Sequence, residues 1–342
     1  MPTVIGWDIG GAHLKAARAE NGRIVDAIQL ASPLRLGLER LRQSFGEAKA
    51  RIGKADRHVV TMTGELADTF ASRREGVASL TQAAVDALAP EPIAIYAGRA
   101  GFVPPAQAGR HATDIASANW FASATLAAKA VGSGLFIDIG STTTDIVPVA
   151  GGAVVARGYT DAERLAQGEL VYTGIVRSFL MATERRAPFG GSWVGLIHEN
   201  FANMADVQRI LGILPDGADQ MSTADGREKT VEASRARLAR MVGRDVEDGD
   251  AAAWALLARW FAEAQLRAIL DGAMLVLSQG TLAAGARVVA AGAGATMVHE
   301  VARRLGRDCV SFETIIDAVP AARTAASNSA PAAAVALLAS VG

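Results

Sequence analysis

The hydrophobic positions of this chain fall into short, largely β-branched runs that stop at glycine, which is the pattern of buried strands ended by turns. Residues 4–12 read VIGWDIGGA and residues 134–142 read GLFIDIGST, and in each an apolar run ends at Asp and a tight turn. A second apolar run follows each turn and leads to a glycine-centred bend. Both segments therefore predict β-hairpins.

The two hairpin segments are copies of one pattern, 130 positions apart. Two similar halves that each open with a hairpin imply a pseudo-symmetric molecule of two lobes with a cleft between them. The matched positions are Asp8 with Asp138, Gly10 with Gly140, Gly11 with Ser141, and Lys15 with Asp145.

The remaining pattern alternates buried strands with helical stretches, which is typical of an α/β lobe. HVVTMTG and IAIYAG predict strands on either side of a helix within residues 66–88, and residues 116–132 predict a helix that leads into the second hairpin. Residues 160–270 predict a mainly helical insertion, broken at PFGG and PDG, and ARVVAAGAG, TMVHEVARRLG and PAAAVALLA predict a strand and two helices. We expect lobes at residues 1–130 and 131–342.

Composition narrows the classes of function. The 342 residues include 34 Lys and Arg against 35 Asp and Glu, so no positive field gathers nucleic acid. Cys309 is the sole cysteine, which excludes an internal disulfide and a cysteine-based metal site and fits a reducing compartment. No apolar run approaches the roughly 18 residues of a membrane span, and MPTVIGWDIGG lacks the basic start of a signal peptide. We expect a cytoplasmic protein without nucleic-acid or membrane partners, and a homo-oligomer is left open.

The two glycine turns carry the candidate chemistry. Glycine has no Cβ to keep a phosphate away from the backbone, and consecutive N–H groups in a turn form a nest for an anion. Lys15 adds a cation able to reach a phosphoryl oxygen. For His13, a phosphate contact and a simple surface position in the turn fit the pattern equally well. The predicted phosphate-binding residues are Gly10, Gly11, Ala12, His13, Gly140, Ser141, Thr142 and Thr143.

Asp8 and Asp138 end the first strand of each hairpin and are the predicted metal ligands. Like charges keep carboxylates from binding phosphate directly, whereas Mg²⁺ keeps several waters and takes one or two carboxylates. A third glycine segment, Gly292-Ala293-Gly294, lies between a predicted strand and a helix N-terminus and can receive a nucleotide or diphosphate. Because it lacks the third glycine of GxGxxG, a dinucleotide-binding site is disfavoured.

Three motifs, DIGGAHLK, DIGSTTTD and AAGAGATM in this order, resemble the two phosphate motifs and the adenosine motif of the actin, sugar kinase and Hsp70 superfamily, particularly its hydantoinase/oxoprolinase branch. The resemblance implies a two-lobed, actin-like (ribonuclease H-like) α/β ATPase fold with a central cleft, and ATP or another nucleotide as a possible ligand. ASANWFASA, GELVYTG, FANMADVQRILG and TADGREK are similar to segments of the tetrahydromethanopterin-linked one-carbon transfer proteins, which include a condensing enzyme of methanofuran biosynthesis.

This second resemblance implies a transferase of methanofuran or methylofuran biosynthesis. Its expected substrate is an aminomethylfuran-methyl diphosphate, from which the phenol of a tyramine or tyrosine derivative displaces pyrophosphate. The furan ring delocalises positive charge, so such an enzyme mainly stabilises the leaving diphosphate and positions the nucleophile. Mg²⁺, Lys15 and the turn amides would do the first. Asp145 is the candidate general base, with a place in the magnesium shell as an equal alternative.

Other assignments rest on fewer residues. Asn119, Trp120 and Tyr172 are candidate substrate contacts, with packing as the blander interpretation of both rings. Arg237 and Arg240 either recognise the acceptor's glutamyl carboxylates or form a solvated helix face. Two further functions stay open: an ATP-dependent small-molecule kinase or ATPase, and a non-catalytic nucleotide-binding regulator of the one-carbon pathway.

Overall fold

The computed structural model describes residues 2–340. Its strands form two open sheets and one separate hairpin. The strands are β1 (Val4–Ile9), β2 (His13–Glu20), β3 (Arg23–Ala31), β4 (Arg57–Met62), β5 (Ile93–Tyr96), β6 (Phe102–Val103), β7 (Gly134–Ile139), β8 (Thr144–Ala150), β9 (Ala153–Val154), β10 (Leu170–Val171), β11 (Arg186–Phe189), β12 (Ser192–Gly195), β13 (Arg287–Ala291) and β14 (Cys309–Ser311).

The helices cover both faces of the sheets and build most of the insertion. Four of them are single turns or little more, and the longest lies in the insertion. They are α1 (Leu38–Ile52), α2 (Arg73–Leu88), α3 (Ala112–Ile115), α4 (Asn119–Val131), α5 (Asp161–Gln167), α6 (Leu180–Thr183), α7 (Met204–Ile210), α8 (Val231–Met241), α9 (Ala251–Ser278), α10 (Ala295–Arg304), α11 (Phe312–Ile315), α12 (Arg323–Asn328) and α13 (Ala330–Ser340).

The two sheets share one topology. In the first, the strand order is β3-β2-β1-β4-β5-β6, with β1, β4 and β5 parallel and the β1–β2–β3 meander antiparallel. In the second, β8, β7, β13 and β14 repeat the order of β2, β1, β4 and β5, and both β9 and β10 pair with β8. The predicted α/β fold with a duplicated hairpin is confirmed.

The repeat extends to the register of the hairpins. Asp8 pairs with Lys15 in the first hairpin, and Asp138 pairs with Asp145 in the second. Each turn is closed by one backbone hydrogen bond of 2.9 Å, from the amide of its first glycine to the carbonyl three residues later. The offset seen in the sequence is therefore also the offset between equivalent positions in space.

Strand alternation turns the two aspartates toward a common layer of helices. In β1, the side chains of Ile5, Trp7 and Ile9 pack with α1 and α2, so Asp8 lies on the opposite face. In β7, alternate residues pack with α9 and α10, while Phe136 packs with α4, α12 and α13. Asp138 therefore shares the face of β7 that Phe136 occupies. The two carboxylates lie at the ends of strands whose faces look toward the same helical layer.

The insertion is less helical than the sequence predicts. PFGG spans the end of β11 and the two-residue turn of the β11–β12 hairpin, in which Gly190 and Gly191 have the positive φ, 58° and 77°, that such a turn requires. Residues 212–230 contain neither helix nor strand. Helix α9 runs to Ser278, beyond the expected end at residue 270. The predicted helix within residues 66–88 begins only after Ser72, whose side chain accepts from the amide of Glu75.

The C-terminal helix α13 lies against the first sheet, although we assigned residues 131–342 to the second lobe. Its alanines approach β1 closely because Gly6 has no side chain there. The same helix packs with α4, which also contacts β7 and β8 of the second sheet. The helical layer thus joins both sheets, and the division of the chain at residue 130 stays a prediction. None of the helices within residues 2–340 is long and apolar enough to cross a membrane.

Replacing Gly6 with valine should destabilise the protein by about 2–3 kcal/mol. A Cβ at this position would collide with the Ala332 carbonyl oxygen and would lie 2.8 Å from the Ala336 nitrogen, and backbone cannot move aside cheaply. Urea unfolding measures the change. The matched control is Gly46→Ala in α1, where a Cβ meets no atom within 4 Å and helix propensity predicts a small gain. Equal stability of Gly6→Val and wild type would contradict the packing described here.

Candidate functional site between the two hairpin turns

Asp8, Lys15, Asp138 and Asp145 come together at the ends of the two hairpins. Burial raises the pKa of Asp138 to about 7, the charge of Asp145 and that of Asp8 add to this effect, and Lys15 opposes it. Burial also raises the pKa values of Asp8 and Asp145, and Lys15 lowers both. Within residues 2–340, Lys15 forms no ion pair shorter than 4 Å. Three carboxylates therefore share one nearby lysine without being neutralised by it.

The turns themselves present free amide groups. The carbonyl oxygens of Gly11 and Ala12 accept hydrogen bonds from the amides of Leu34 and Ser32, at 3.0 and 2.8 Å. The amides of Gly11 and Ala12 have no acceptor among the described residues. The second turn repeats this arrangement: the amides of residues 141–143 donate to no atom in the described part of the chain. In both turns the amide N–H groups are free to donate while carbonyl groups are already hydrogen-bonded within the protein, an arrangement that suits the binding of an anion.

A tight segment, residues 173–178, holds the second turn in place. The amide of Ile175 donates to the Gly140 carbonyl at 3.1 Å, and the amide of Arg177 donates to the Ser141 carbonyl at 2.8 Å. Gly174 permits this approach, because a Cβ there would lie 2.5 Å from both the Gly140 oxygen and the Thr142 nitrogen. This segment fixes which way the carbonyl groups of the turn point.

The third glycine segment lies directly against Asp138. Gly292 has a φ of 78°, and a Cβ at this residue would collide with the Asp138 side chain and lie 2.5 Å from the Ile139 carbonyl oxygen. The amide of Gly294 donates to the same carbonyl at 2.9 Å, just before α10 begins. The structure therefore brings the Gly292-Ala293-Gly294 segment to the second hairpin turn, as the motif order predicts.

Asp145 is held by a buried arginine that the sequence analysis missed. Arg164 donates to the Asp145 Oδ1 at 2.7 Å and to the Glu169 carbonyl at 2.9 Å. The Arg164 guanidinium stacks over the Trp120 ring at 3.9 Å, and both side chains are almost completely buried. Trp120 thus packs beneath the cation that orients Asp145, and it is not exposed to a substrate. Nothing in the local pattern of α5 distinguishes Arg164 from a surface arginine.

The two remaining candidates for substrate contact, Asn119 and Tyr172, lie in different surroundings. The Asn119 side chain lies close enough to Asp8 to lower the pKa of that carboxyl against the larger effect of burial, and its Oδ1 accepts from the Trp120 amide at 2.7 Å. Asn119 therefore lies in the site. Tyr172 is 62 % exposed beside the edge strand β10. It has no ring contact or side-chain hydrogen bond among the described residues, so it is not the half-buried core tyrosine that we considered.

His13 is buried rather than placed on the surface of its turn. It is 6 % exposed, and its Nε2 has no hydrogen-bond partner among the described residues. Burial first, and then the charges of Lys15 and Arg177, lower the pKa of His13 to about 4 against an opposing effect of Asp219. The surface interpretation is therefore wrong for this histidine.

A second carboxylate cluster, also missed, lies where β4 ends beside the first turn. Ser117, with φ of 53°, donates to the Glu65 Oε1 at 2.8 Å and lies 3.2 Å from the Asp161 Oδ2. Arg73 forms an ion pair with Asp161 at 2.5 Å. Burial raises the pKa of Glu65. The signal that could have found Glu65 is its position after a buried parallel strand, at the sheet edge where β1 also ends.

Arg237 belongs to the internal structure of the insertion. Its side chain is 1 % exposed and pairs with Asp206 at 2.7 Å and with Asp225 at 3.2 Å. Both interpretations from the sequence, carboxylate recognition and a solvated face, are therefore wrong for Arg237. Arg240 is exposed, as a solvated helix face requires.

The carboxylates of the site suit a magnesium ion that keeps most of its water. The Asp8 Oδ1 is buried without a hydrogen-bond partner among the described residues. No group of three His, Cys, Asp or Glu side chains within residues 2–340 is arranged to ligate a metal together. Mg²⁺ does not need such a group, because one or two carboxylates and several waters complete its shell. Asp8 and Asp138 fit this demand, and the Mg²⁺ assignment stays a prediction.

Two equivalent sheets, each with an antiparallel hairpin, define the actin-like class of two-lobed α/β folds. The sequence model of the hydantoinase/oxoprolinase family matches residues 56–340. The chain therefore belongs to the hydantoinase/oxoprolinase family, and the resemblance stated from the motifs is confirmed.

Two relatives found by sequence comparison are named as synthases. The chain is 30% identical over 247 residues to the (4-{4-[2-(gamma-L-glutamylamino)ethyl]phenoxymethyl}furan-2-yl)methanamine synthase of Methanocaldococcus jannaschii, covering 71% of this chain and 72% of the relative. The enzyme of the same name from Methanococcus vannielii is 30% identical over 112 residues, covering 33% of this chain and 50% of the relative. Acetone carboxylase, in a nucleotide-free structure, superposes with a TM-score of 0.60 at 12% identity, covering 97% of this chain and 70% of that chain.

Asp138→Asn should change how stability depends on pH. The pKa of Asp138 is raised from 3.8 to about 7, so the native state binds more protons than the unfolded state between these values, and wild-type stability falls as pH rises through this window. The variant loses that fall and should be more stable than wild type by about 1–3 kcal/mol at pH 8, but not at pH 4.

Urea unfolding in the presence of a chelator, across this pH range, measures the difference between the two proteins. The matched control is Asp26→Asn, at an exposed position of β3, whose stability relative to wild type should not vary with pH. A constant difference between Asp138→Asn and wild type would show that Asp138 is not a strained carboxyl.

Proposed function

We propose that this protein is a transferase of methanofuran or methylofuran biosynthesis. It condenses an aminomethylfuran-methyl diphosphate with the phenol of a tyramine or tyrosine derivative, including a glutamylated form, and releases pyrophosphate. The observation that carries the proposal is the pair of hairpin turns with free amides, together with Lys15, whose charge acts on the aspartates of both hairpins. The name of the M. jannaschii relative supports the substrate class.

Leaving-group stabilisation is the main task of the site in this proposal. The turn amides of Gly11 and Ala12 and those of residues 141–143 would donate to diphosphate oxygens, and Lys15 would balance their charge. When bound, Mg²⁺ would neutralise part of the diphosphate charge from the side of Asp8 and Asp138. A diphosphate held by both turns leaves more readily, because its negative charge grows as the C–O bond breaks.

Positioning the phenol is the second task. The phenol oxygen forms a C–O bond to the furanylmethyl carbon, the bond from that carbon to the diphosphate oxygen breaks, and the phenolic proton passes to a base. Asp145 remains our candidate for this base. Its Oδ1 accepts from Arg164, so only its Oδ2 would be free to take the proton. Asn119, held between Asp8 and the start of α4, is the candidate for orienting the substrate.

A kinase or ATPase is the alternative function. The contact of Gly292 with the Asp138 side chain favours it, because this glycine segment precedes α10 and can receive a nucleotide. In that case a phosphoryl group would pass to an acceptor and the bond broken would be P–O. A non-catalytic, nucleotide-binding regulator would use the same contacts without turnover.

The position of isotope label separates these functions. With ¹⁸O in the bridging ester oxygen of the furanylmethyl diphosphate, condensation should deliver all the label to pyrophosphate, because the bond broken is C–O. Mass spectrometry of both products measures this. Label in the organic product, or a requirement for ATP hydrolysis, would refute condensation and favour the kinase. Absence of turnover with either substrate would leave a regulator.

Lys15→Met should lower turnover by at least about 100-fold and leave the protein folded, because it removes a half-buried cation whose charge acts on all three carboxyls. The matched control is Lys129→Met, an exposed lysine in the last turn of α4, which should retain wild-type turnover. Steady-state kinetics with a pyrophosphate assay and thermal melting of each variant measure both effects. Wild-type turnover in Lys15→Met would remove Lys15 from the site.

A further inference from the structure

Arg177 lies beside the second turn, and its guanidinium has no hydrogen-bond or ion-pair partner among the described residues. Its backbone amide donates to the Ser141 carbonyl at 2.8 Å, so its Cα lies beside the second turn. Its side chain is exposed and forms no ion pair or hydrogen bond with another described residue. The positive charge of Arg177 nevertheless acts on His13, which begins β2 at the end of the first turn. Arg177 is thus anchored at the second turn, and its charge acts on a histidine at the end of the first.

Several hydrogen bonds hold the backbone around Arg177, so the position of this residue beside the second turn is fixed. The Ser178 Oγ accepts from the Gly174 amide at 2.7 Å and donates to the Gly174 carbonyl at 2.9 Å. The Gln265 side chain of α9 donates to the same carbonyl at 2.8 Å and to the Thr173 Oγ1 at 2.8 Å. The backbone of Arg177 is therefore held from both sides while its guanidinium stays free.

The charges around His13 are mainly positive, so its surroundings favour an anion as a ligand. Its Nε2 is buried without a partner among the described residues, and Lys15 and Arg177 approach it from two elements. A negative charge that opposes this effect comes from Asp219, in the irregular part of the insertion. Asp219 already has partners, because it pairs with Arg209 at 2.5 Å and with Lys229 at 3.4 Å.

We infer that Arg177 is a phosphate-binding residue that, with Lys15 and His13, holds a diphosphate lying between the two turns. The inference rests on the proposed function for the identity of the ligand, a diphosphate ester, but the phosphate chemistry is general. A guanidinium presents two parallel N–H groups to phosphate oxygens, and a neutral imidazole can donate its Nε2–H to a third. Arg177 would thereby make binding by the second lobe depend on the first.

Calorimetric titration with magnesium pyrophosphate and, separately, with magnesium ATP tests this role. Arg177→Ala should weaken binding of the ligand that wild type binds by about 10- to 100-fold, the loss expected for a charge-assisted hydrogen bond. Arg177→Lys should recover only part of it, because a lysine keeps the charge without the paired donors. Arg240→Ala, at an exposed arginine of the insertion, is the matched control and should bind as wild type does.

A spectroscopic readout separates contact from indirect effects. In ¹⁵N-labelled wild type, pyrophosphate should shift the imidazole signals of His13, and Arg177→Ala should reduce that shift at equal ligand concentration. Thermal melting checks that each variant is folded, which is expected because the Arg177 side chain is exposed.

The outcomes distinguish this inference from the proposed function. Wild-type affinity in Arg177→Ala for whichever ligand binds would overturn the role of Arg177 and leave the condensation untouched. Arg177-dependent binding of ATP, without binding of pyrophosphate, would support the role of Arg177 and refute the condensation. If wild type binds neither ligand, both are refuted.

Discussion

The burial of three neighbouring carboxyls, those of Asp8, Asp138 and Asp145, is the constraint on which the rest of this site depends. All three pKa values are raised, by burial first, so the isolated protein holds these carboxyls at a cost. The charge of Lys15 offsets part of the free-energy cost of ionising these carboxyls, and Arg164 holds Asp145 in an ion pair. A polyvalent cation or a cation-bound diphosphate would relieve the remainder. The binding free energy of such a ligand is thus partly stored in the fold before the ligand arrives.

Close packing of the backbone around the site holds the three carboxyls in their buried positions. Gly6 lets α13 lie on β1, Gly174 lets residues 173–178 surround the second turn, and Gly292 lets the strand before α10 reach Asp138. At each of these glycines a Cβ would meet neighbouring backbone or the site itself. The low aromatic content of 5% and the alanine-rich helical layer have the same effect, since small side chains bring the two sheets close to shared helices.

Local features of the sequence were sufficient for the hairpins, because strand alternation and turn glycines act over fewer than ten residues and fix the register. Contacts between distant segments were not accessible in this way. Arg164 and Arg177 owe their roles to what they touch in space, and Glu65 meets Ser117 across 52 positions. For Arg237 the local pattern was misleading. The pattern of its helix predicts a solvated face, but residues 212–230 fold over this arginine and supply its partner Asp225.

The pseudo-symmetry of the two hairpins is broken at one pair of positions, and that difference gives the site a direction. Lys15 opposes Asp8 in the first hairpin, whereas Asp145 opposes Asp138 in the second, where buried Arg164 supplies the compensating charge. The first turn therefore presents a cation without an ion-pair partner among the described residues, and the second presents amides beside an acid pair held by Arg164. An asymmetric ligand with an anionic end and a proton to lose meets different chemistry at the two turns, which a perfectly duplicated site would not provide.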